Sequence, residues 1–164
     1  MENTISEAFK VAIQAEHTAE KLYQELERKF APHPEVATFW RLYATEEARH
    51  AEWLKDLKTR LTAEVLSAPV DESTLALMNA VNQFSLEKAL KNVTDLEDAY
   101  QLVMDLENGE TNAIFQFLLI NFETDERIRD FIRAQLNQHI ARLSIELPTG
   151  YKSIMKRRAV KAVD

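Results

Sequence analysis

The chain contains no cysteine. It therefore forms no disulfide, no zinc–thiolate site and no iron–sulfur or rubredoxin-type iron centre of its own. Glycine and proline are also scarce, with two Gly and four Pro in 164 residues. So few turn formers, set against abundant Ala, Leu, Glu and Lys, point to an all-α protein. No apolar run approaches the roughly 20 residues that a membrane-spanning helix needs. Positive charge is in deficit, with 20 Lys and Arg against 27 Asp and Glu and a net charge of −7, which argues against nucleic acid as the main partner. The opening Met1-Glu2-Asn3-Thr4 lacks a basic region leading into an apolar stretch, so no signal peptide is expected and a cytoplasmic location is. The length suits one domain with a sizeable core.

What the chain does have is Glu46-Glu47-Ala48-Arg49-His50. Glu47 and His50 are spaced to stack on one face of a helix. That face is not the solvated one. The series Val36, Trp40, Tyr43, Glu47, His50, Leu54, Leu57 alternates steps of four and three, the seam of a helix packed in a bundle. A carboxylate on such a seam is expensive unless something compensates it. A metal ion held by carboxylate and imidazole would do so, and helix bundles build di-iron sites from Glu-x-x-His.

The first helix opens at Thr4-Ile5-Ser6-Glu7, which reads as a capping box. Its seam is Phe9, Ala12, Glu16, Ala19, Tyr23, Leu26, Phe30, with Glu16 the only charge on it. Ala31-Pro32-His33-Pro34 ends this helix, and Pro34 is placed to start the second, which should run to the low sixties as an antiparallel neighbour. Residues from about 65 to 93 read as a long crossover carrying short helices, one capped by Asp71 and one beginning near Ser85. Thr94-Asp95-Leu96-Glu97 reads as a capping box for a third helix, with the seam Tyr100, Val103, Glu107, Glu110, Ile114, Phe117, Asn121. After a polar break at 121–125 a fourth helix follows, with the seam Ile132, Leu136, His139, Leu143. Pro148-Thr149-Gly150 stops it. Residues 1–147 are thus expected to form one bundle, and 148–164 a basic tail.

The first and third helices also match each other. Residues 7–16 lie over 98–107 without a gap, with the acidic residue, Ala, the aromatic and the final Glu all coinciding. Continuing the register puts Ala19 opposite Glu110, and allowing for a shorter loop in the second hairpin puts His50 opposite His139 and Glu47 opposite Leu136. The chain reads as two related helical hairpins. The first supplies Glu16 with Glu47 and His50. The second supplies Glu107, Glu110 and His139, but has Leu136 in place of a carboxylate.

With these residues in view, the chain resembles the rubrerythrin-like branch of the ferritin-like superfamily. The resemblance rests on Ala15-Glu16-His17-Thr18-Ala19 with Tyr23, on the run from Phe39 to Ala51, and on Glu107-x-x-Glu110. It covers about residues 4–147. It implies an antiparallel four-helix bundle with one long crossover, holding two non-haem irons that react with peroxide or dioxygen or oxidise Fe(II). It also implies a ligand set of Glu16, Glu47 and His50 for one metal and Glu107, Glu110 and His139 for the other. Mixed O and N ligands suit iron, with manganese or zinc as alternatives. Leu136 stands where the family has a bridging carboxylate. Glu126 cannot substitute, because ten residues of helix place it roughly 15 Å away. With no rubredoxin-type iron in the chain, electrons would come from an external donor protein. A homodimer is expected.

Blander readings stand beside these. A lone core histidine is more often a hydrogen-bonded structural residue than a ligand. Leu136 favours a degenerate bundle that keeps one metal or none and serves as a binding or structural module. His17 and His33 fall off the seams and are given no role. Tyr23 and Tyr43 are read as packing residues near the ligands, Trp40 and Trp53 as core, and Glu46 and Arg49 as surface or interface pairs. The tail has five basic residues against one acid, which leaves −11 on residues 1–147. Docking on an acidic surface is an alternative to a solvated extension.

Overall fold

The computed structural model describes residues 3–146, with the side chains of Glu110 and residues 144–146 excepted. The basic tail lies outside the described residues. The chain is all-α: α1 (Ile5–Lys29), α2 (Pro34–Thr59), α3 (Ala63–Ser67), α4 (Glu72–Gln83), α5 (Leu86–Lys91), α6 (Leu96–Glu107), α7 (Glu110–Phe122) and α8 (Glu126–Glu146). Among the described residues the one extended pairing is a bridge between Thr4 and Pro69, which ties the start of α1 to the α3–α4 connection. No described helix is long and apolar enough to cross a membrane.

The ends of the elements follow local chemistry. Thr4 accepts from the Glu7 amide at the start of α1, and Pro34 takes the first turn of α2, where its missing N–H costs nothing. Asp71 caps α4 and Ser85 caps α5, as the sequence suggests. The box at α6 is shifted one residue from the expected Thr94–Glu97. Asp95 accepts from the amides of Glu97 and Asp98, and the Asp98 carboxylate returns to the Asp95 amide. The carboxylate of Asp95 is well suited to a positive helix N-terminus.

Helices α1 and α2 run antiparallel. Lys58 reaches the Ser6 carbonyl, His50 faces Glu16 and Arg41 pairs with Glu27, so residue numbers rise on one helix as they fall on the other. Every residue of the expected α2 seam is buried. So are those of α1 from Phe9 to Leu26 and those of α8 from Ile132 to Leu143.

The third expected helix is two. Asn108 and Gly109 leave helical geometry between α6 and α7. The chain folds back on itself there so closely that a Cβ on Gly109 would lie 2.9 Å from the Asp105 carbonyl oxygen. The interruption rotates the following helix, and α7 buries Ile114, Phe115, Leu118 and Leu119 in place of the expected Ile114, Phe117, Asn121. Asn-Gly is a common turn dipeptide, and it was the available signal.

Apolar side chains gather in two distinct clusters. One holds Leu22, Tyr23, Leu26, Val36, Trp40, Tyr43, Ala99, Val103 and Leu143. The other holds Phe9, Ala12, Leu54, Leu57, Met78, Ile114, Phe115, Leu118, Ile132 and Leu136. Along α1, α2 and α8 the residues between the two clusters include Glu16, Glu47, His50 and His139, all buried. A polar layer therefore crosses the interior.

Candidate metal centre

Four helices supply the side chains of this layer. Glu16 comes from the middle of α1, and Glu47 and His50 from one face of α2. Glu107 is the last residue of α6, and His139 lies two-thirds of the way along α8. Glu16 and Glu47 are each 4% exposed, His50 8% and His139 2%. Four ionisable side chains this deep in a helical protein call for compensation.

Glu47 is the centre of the arrangement. Its Oε2 lies 3.2 Å from His50 Nδ1, which is itself 3.4 Å from Glu16 Oε2. Its Oε1 lies 2.9 Å from His139 Nε2, which is 3.1 Å from Glu107 Oε1. The two oxygens of one carboxylate thus face two separate triads, Glu16–Glu47–His50 and Glu47–Glu107–His139. The donor atoms of each triad lie within 4.8 Å of one another. Glu47 Oε1 is buried and has no hydrogen bond of good geometry. An oxygen this deep, with only the His139 imidazole beside it, is placed to take a cation, and the residues present fit a bound metal.

Outer partners set the inner ones. His139 Nδ1 and the Glu46 carboxylate are 2.7 Å apart, which turns Nε2 toward Glu47 and Glu107. Arg142 donates to the same Glu46 carboxylate. Tyr43 donates to the His139 carbonyl at 3.1 Å, and its ring lies 4.4 Å from the imidazole. Tyr23 donates to Glu107 Oε1 at 2.5 Å. Glu46 thus forms the ion pair expected from sequence, with Arg142, and in addition faces His139, which was not expected. One turn of α2 aims Glu47 and the edge of Glu46 at the same histidine. The adjacency of two carboxylates in Glu46-Glu47 was the only hint.

Of the six ligand candidates, Glu16, Glu47, His50, Glu107 and His139 come together. The side chain of Glu110 lies outside the described set; its backbone opens α7, directly after the break. Leu136, the residue aligned with Glu47 in the second hairpin, lines the cavity formed by Glu16, Glu47, His50 and Glu107. Glu126 is exposed, as its distance along the helix requires. His17 pairs with Glu20 at 3.1 Å, away from the layer. Trp40 is fully buried, and Trp53 is half-buried against Phe115.

Without metal, protons balance the layer. Burial opposes the charge on both imidazoles, but the surrounding carboxylates prevail. Glu16 and Glu47 push His50 up to about 10, and Glu107, Glu46 and Glu47 push His139 up to about 12. Burial also opposes the charge on Glu47, yet His139 and His50 hold its carboxyl below the usual carboxylate range. Glu46 overcomes its own partial burial through His139 and Arg142 and falls to about 2. Burial, reinforced by the charge on Glu47, raises the Glu16 carboxyl well above its ordinary value despite His50. Buried Tyr23, facing Glu107 and Glu47, is pushed up and keeps its proton.

No curated protein and no solved structure matches the chain. A family model described as Rubrerythrin matches residues 7–134, which spans Glu16, the Glu47–His50 pair and Glu107 and stops short of His139. That match covers most of the sequence and agrees with the buried carboxylate and histidine layer: the chain belongs to the rubrerythrin family and carries its ferritin-like domain.

Proposed function

We propose that this layer is a non-haem iron centre whose reaction is with peroxide or dioxygen. The observation that carries the reading is the double-facing Glu47 carboxylate, one oxygen toward each triad. The ligands would be Glu16, Glu47 and His50 for one metal and Glu47, Glu107 and His139 for a second, with Glu110 available beside them. Oxygen and imidazole donors suit iron, and would also accept manganese or zinc. Iron, when bound, supplies the electron transfer to the oxidant. The protein supplies the rest. Glu46 holds the proton on Nδ1 of His139 and leaves Nε2 for the metal. Tyr23 holds a proton at Glu107 Oε1. Phe115, Leu136 and Tyr43 keep bulk water from the layer. Electrons would come from a separate donor protein.

The two positions are unequal. The first triad is wholly buried, whereas Glu107 of the second is only partly buried, and Leu136 aligns with Glu47 between the hairpins where a second carboxylate would be expected. The first should fill earlier and more tightly. Leu136 also favours a second reading, a module that keeps one metal or none and does no redox work. Anaerobic Fe(II) loading followed by metal analysis and peroxide addition separates the two. Bound iron with consumption of peroxide supports the oxidoreductase. Iron that stays inert toward peroxide and dioxygen, or no iron at all, supports the module.

A further inference from the structure

A second pocket lies on the outer side of the layer, between α2 and α8. It is lined by Glu46, Arg49, His50, Gln135, Gln138 and Arg142, and its volume with its open mouth is about 530 Å³. His50 is shared with the inner cavity at Glu16 and Glu47, so its ring forms the wall between the two spaces. The lining is the reverse of the interior. Two guanidinium groups and two carboxamides face it, and its one carboxylate, Glu46, is engaged by His139 and Arg142. Arg142 is held at the wall by that carboxylate and by the Tyr43 ring, 5.6 Å from its guanidinium carbon. Arg49 is exposed and makes no ion pair with another described residue. On a chain of net charge −7 this is a local concentration of cationic donors with a fixed back wall.

We propose that this pocket is a binding site for a small oxyanion of the phosphate class. Planar guanidinium forks match the oxygens of such an ion, and the carboxamide N–H groups of Gln135 and Gln138 can complete its hydrogen bonding. A free divalent cation is the wrong ligand, since it would meet the guanidinium groups of Arg49 and Arg142. The site needs no metal in the layer, so it stands or falls separately from the iron reading. An ion seated there borders the His50 ring, and its arrival is visible at that ring.

The test uses the metal-free protein, with inorganic phosphate titrated in at low ionic strength and followed by NMR. Saturable shifts of the His50 ring and of the Gln135 and Gln138 carboxamide signals are expected. Arg49→Glu should weaken binding at least about tenfold, because it replaces a charge-assisted donor with a repelling acid. Arg133→Glu makes the same charge change on exposed α8 surface outside the pocket and should stay within about threefold of wild type. Glycerol phosphate, run in parallel, identifies the source. Tighter binding of inorganic phosphate assigns the free ion, and tighter binding of the monoester assigns a phosphorylated metabolite; either outcome supports the site. Shifts that never saturate, or equal weakening by Arg49→Glu and Arg133→Glu, would overturn it. Gln138→Glu is a second, independent change at the rim and must also weaken binding.

Discussion

Replacing Glu47 with glutamine changes one charge and almost no volume, at the residue common to both triads among the described residues. In the metal-free protein each histidine loses one of its carboxylates; His50 keeps one and His139 two. His50 retains Glu16 at 3.4 Å, and His139 retains Glu46 at 2.7 Å and Glu107 at 3.1 Å. Breaking an isolated buried ion pair costs about 3–5 kcal/mol, and leaving one buried polar group poorly satisfied costs about 1–3 kcal/mol. The remaining partners put Glu47→Gln in the lower range, about 1–2 kcal/mol. A metal-free layer would otherwise suggest that truncating Glu47 relieves a desolvation cost. The imidazolium partners remove that argument, because the carboxylate is already compensated. Metal binding suffers far more, since both positions lose a charged ligand. Metal content should fall close to zero. Chemical denaturation of the metal-free variant and elemental analysis after iron loading measure the two effects. Wild-type metal content in Glu47→Gln would refute the bridging role. A loss of stability well above about 5 kcal/mol would show that Glu47 is a structural ion-pair residue first.

Other outcomes follow from the same geometry. His50 and His139 are raised in the folded state, so their stabilising contribution is complete below about 6.5 and is lost as pH rises through about 10 and about 12; alkaline titration of the metal-free protein should show progressive loss of stability. Metal binding at neutral pH must expel the imidazolium protons, so calorimetry in buffers of different ionisation enthalpy should record about one proton per histidine ligand. Leu136→Glu should raise iron toward two per chain, and lower the stability of the metal-free protein by about 3 kcal/mol through lost apolar burial and an added buried carboxyl; unchanged iron content would show that Leu136 does not limit the second position. Gly109→Ala puts a methyl group 2.9 Å from the Asp105 carbonyl, and should cost about 1–3 kcal/mol in thermal or denaturant unfolding while weakening metal at Glu107 more than at Glu16.

The seams of α1, α2 and α8 were legible because each is a long, uninterrupted run in which burial repeats in steps of three and four. Glu16, Glu47, His50 and His139 stood out as ionisable residues on otherwise apolar stripes, and periodicity alone located them. The register of α7 was not legible in the same way. The stripe through Glu107 and Glu110 fits one continuous helix as well as two, and only the conformation at Asn108-Gly109 decides between them. The contact of Glu46 with His139 has no signal in the sequence, because Glu46 lies off the seam. Its contact is with a residue 93 positions later in the chain, a distance over which helical spacing carries no information. The burial of Glu123 is hidden for a related reason. It sits in the polar break before α8, yet it is buried and held by Arg60 at 2.8 Å.

The polar layer also bears on how the molecule folds. It divides the apolar interior into two bodies, which share α1, α2 and α8 but are otherwise built from different helices. The hairpin of α1 and α2 passes through both, but the α6–α7 leg is interrupted at the level of the layer and transmits little from one body to the other. Without a metal, the two halves are joined through the continuous helices and through imidazolium–carboxylate contacts that depend on pH. A metal held at once by α1, α2, α6 and α8 would fasten the halves together in the middle. Its effect would then appear as cooperativity: one sharp unfolding transition where the metal-free chain opens in two steps, and amide protection that rises on both sides of the layer together.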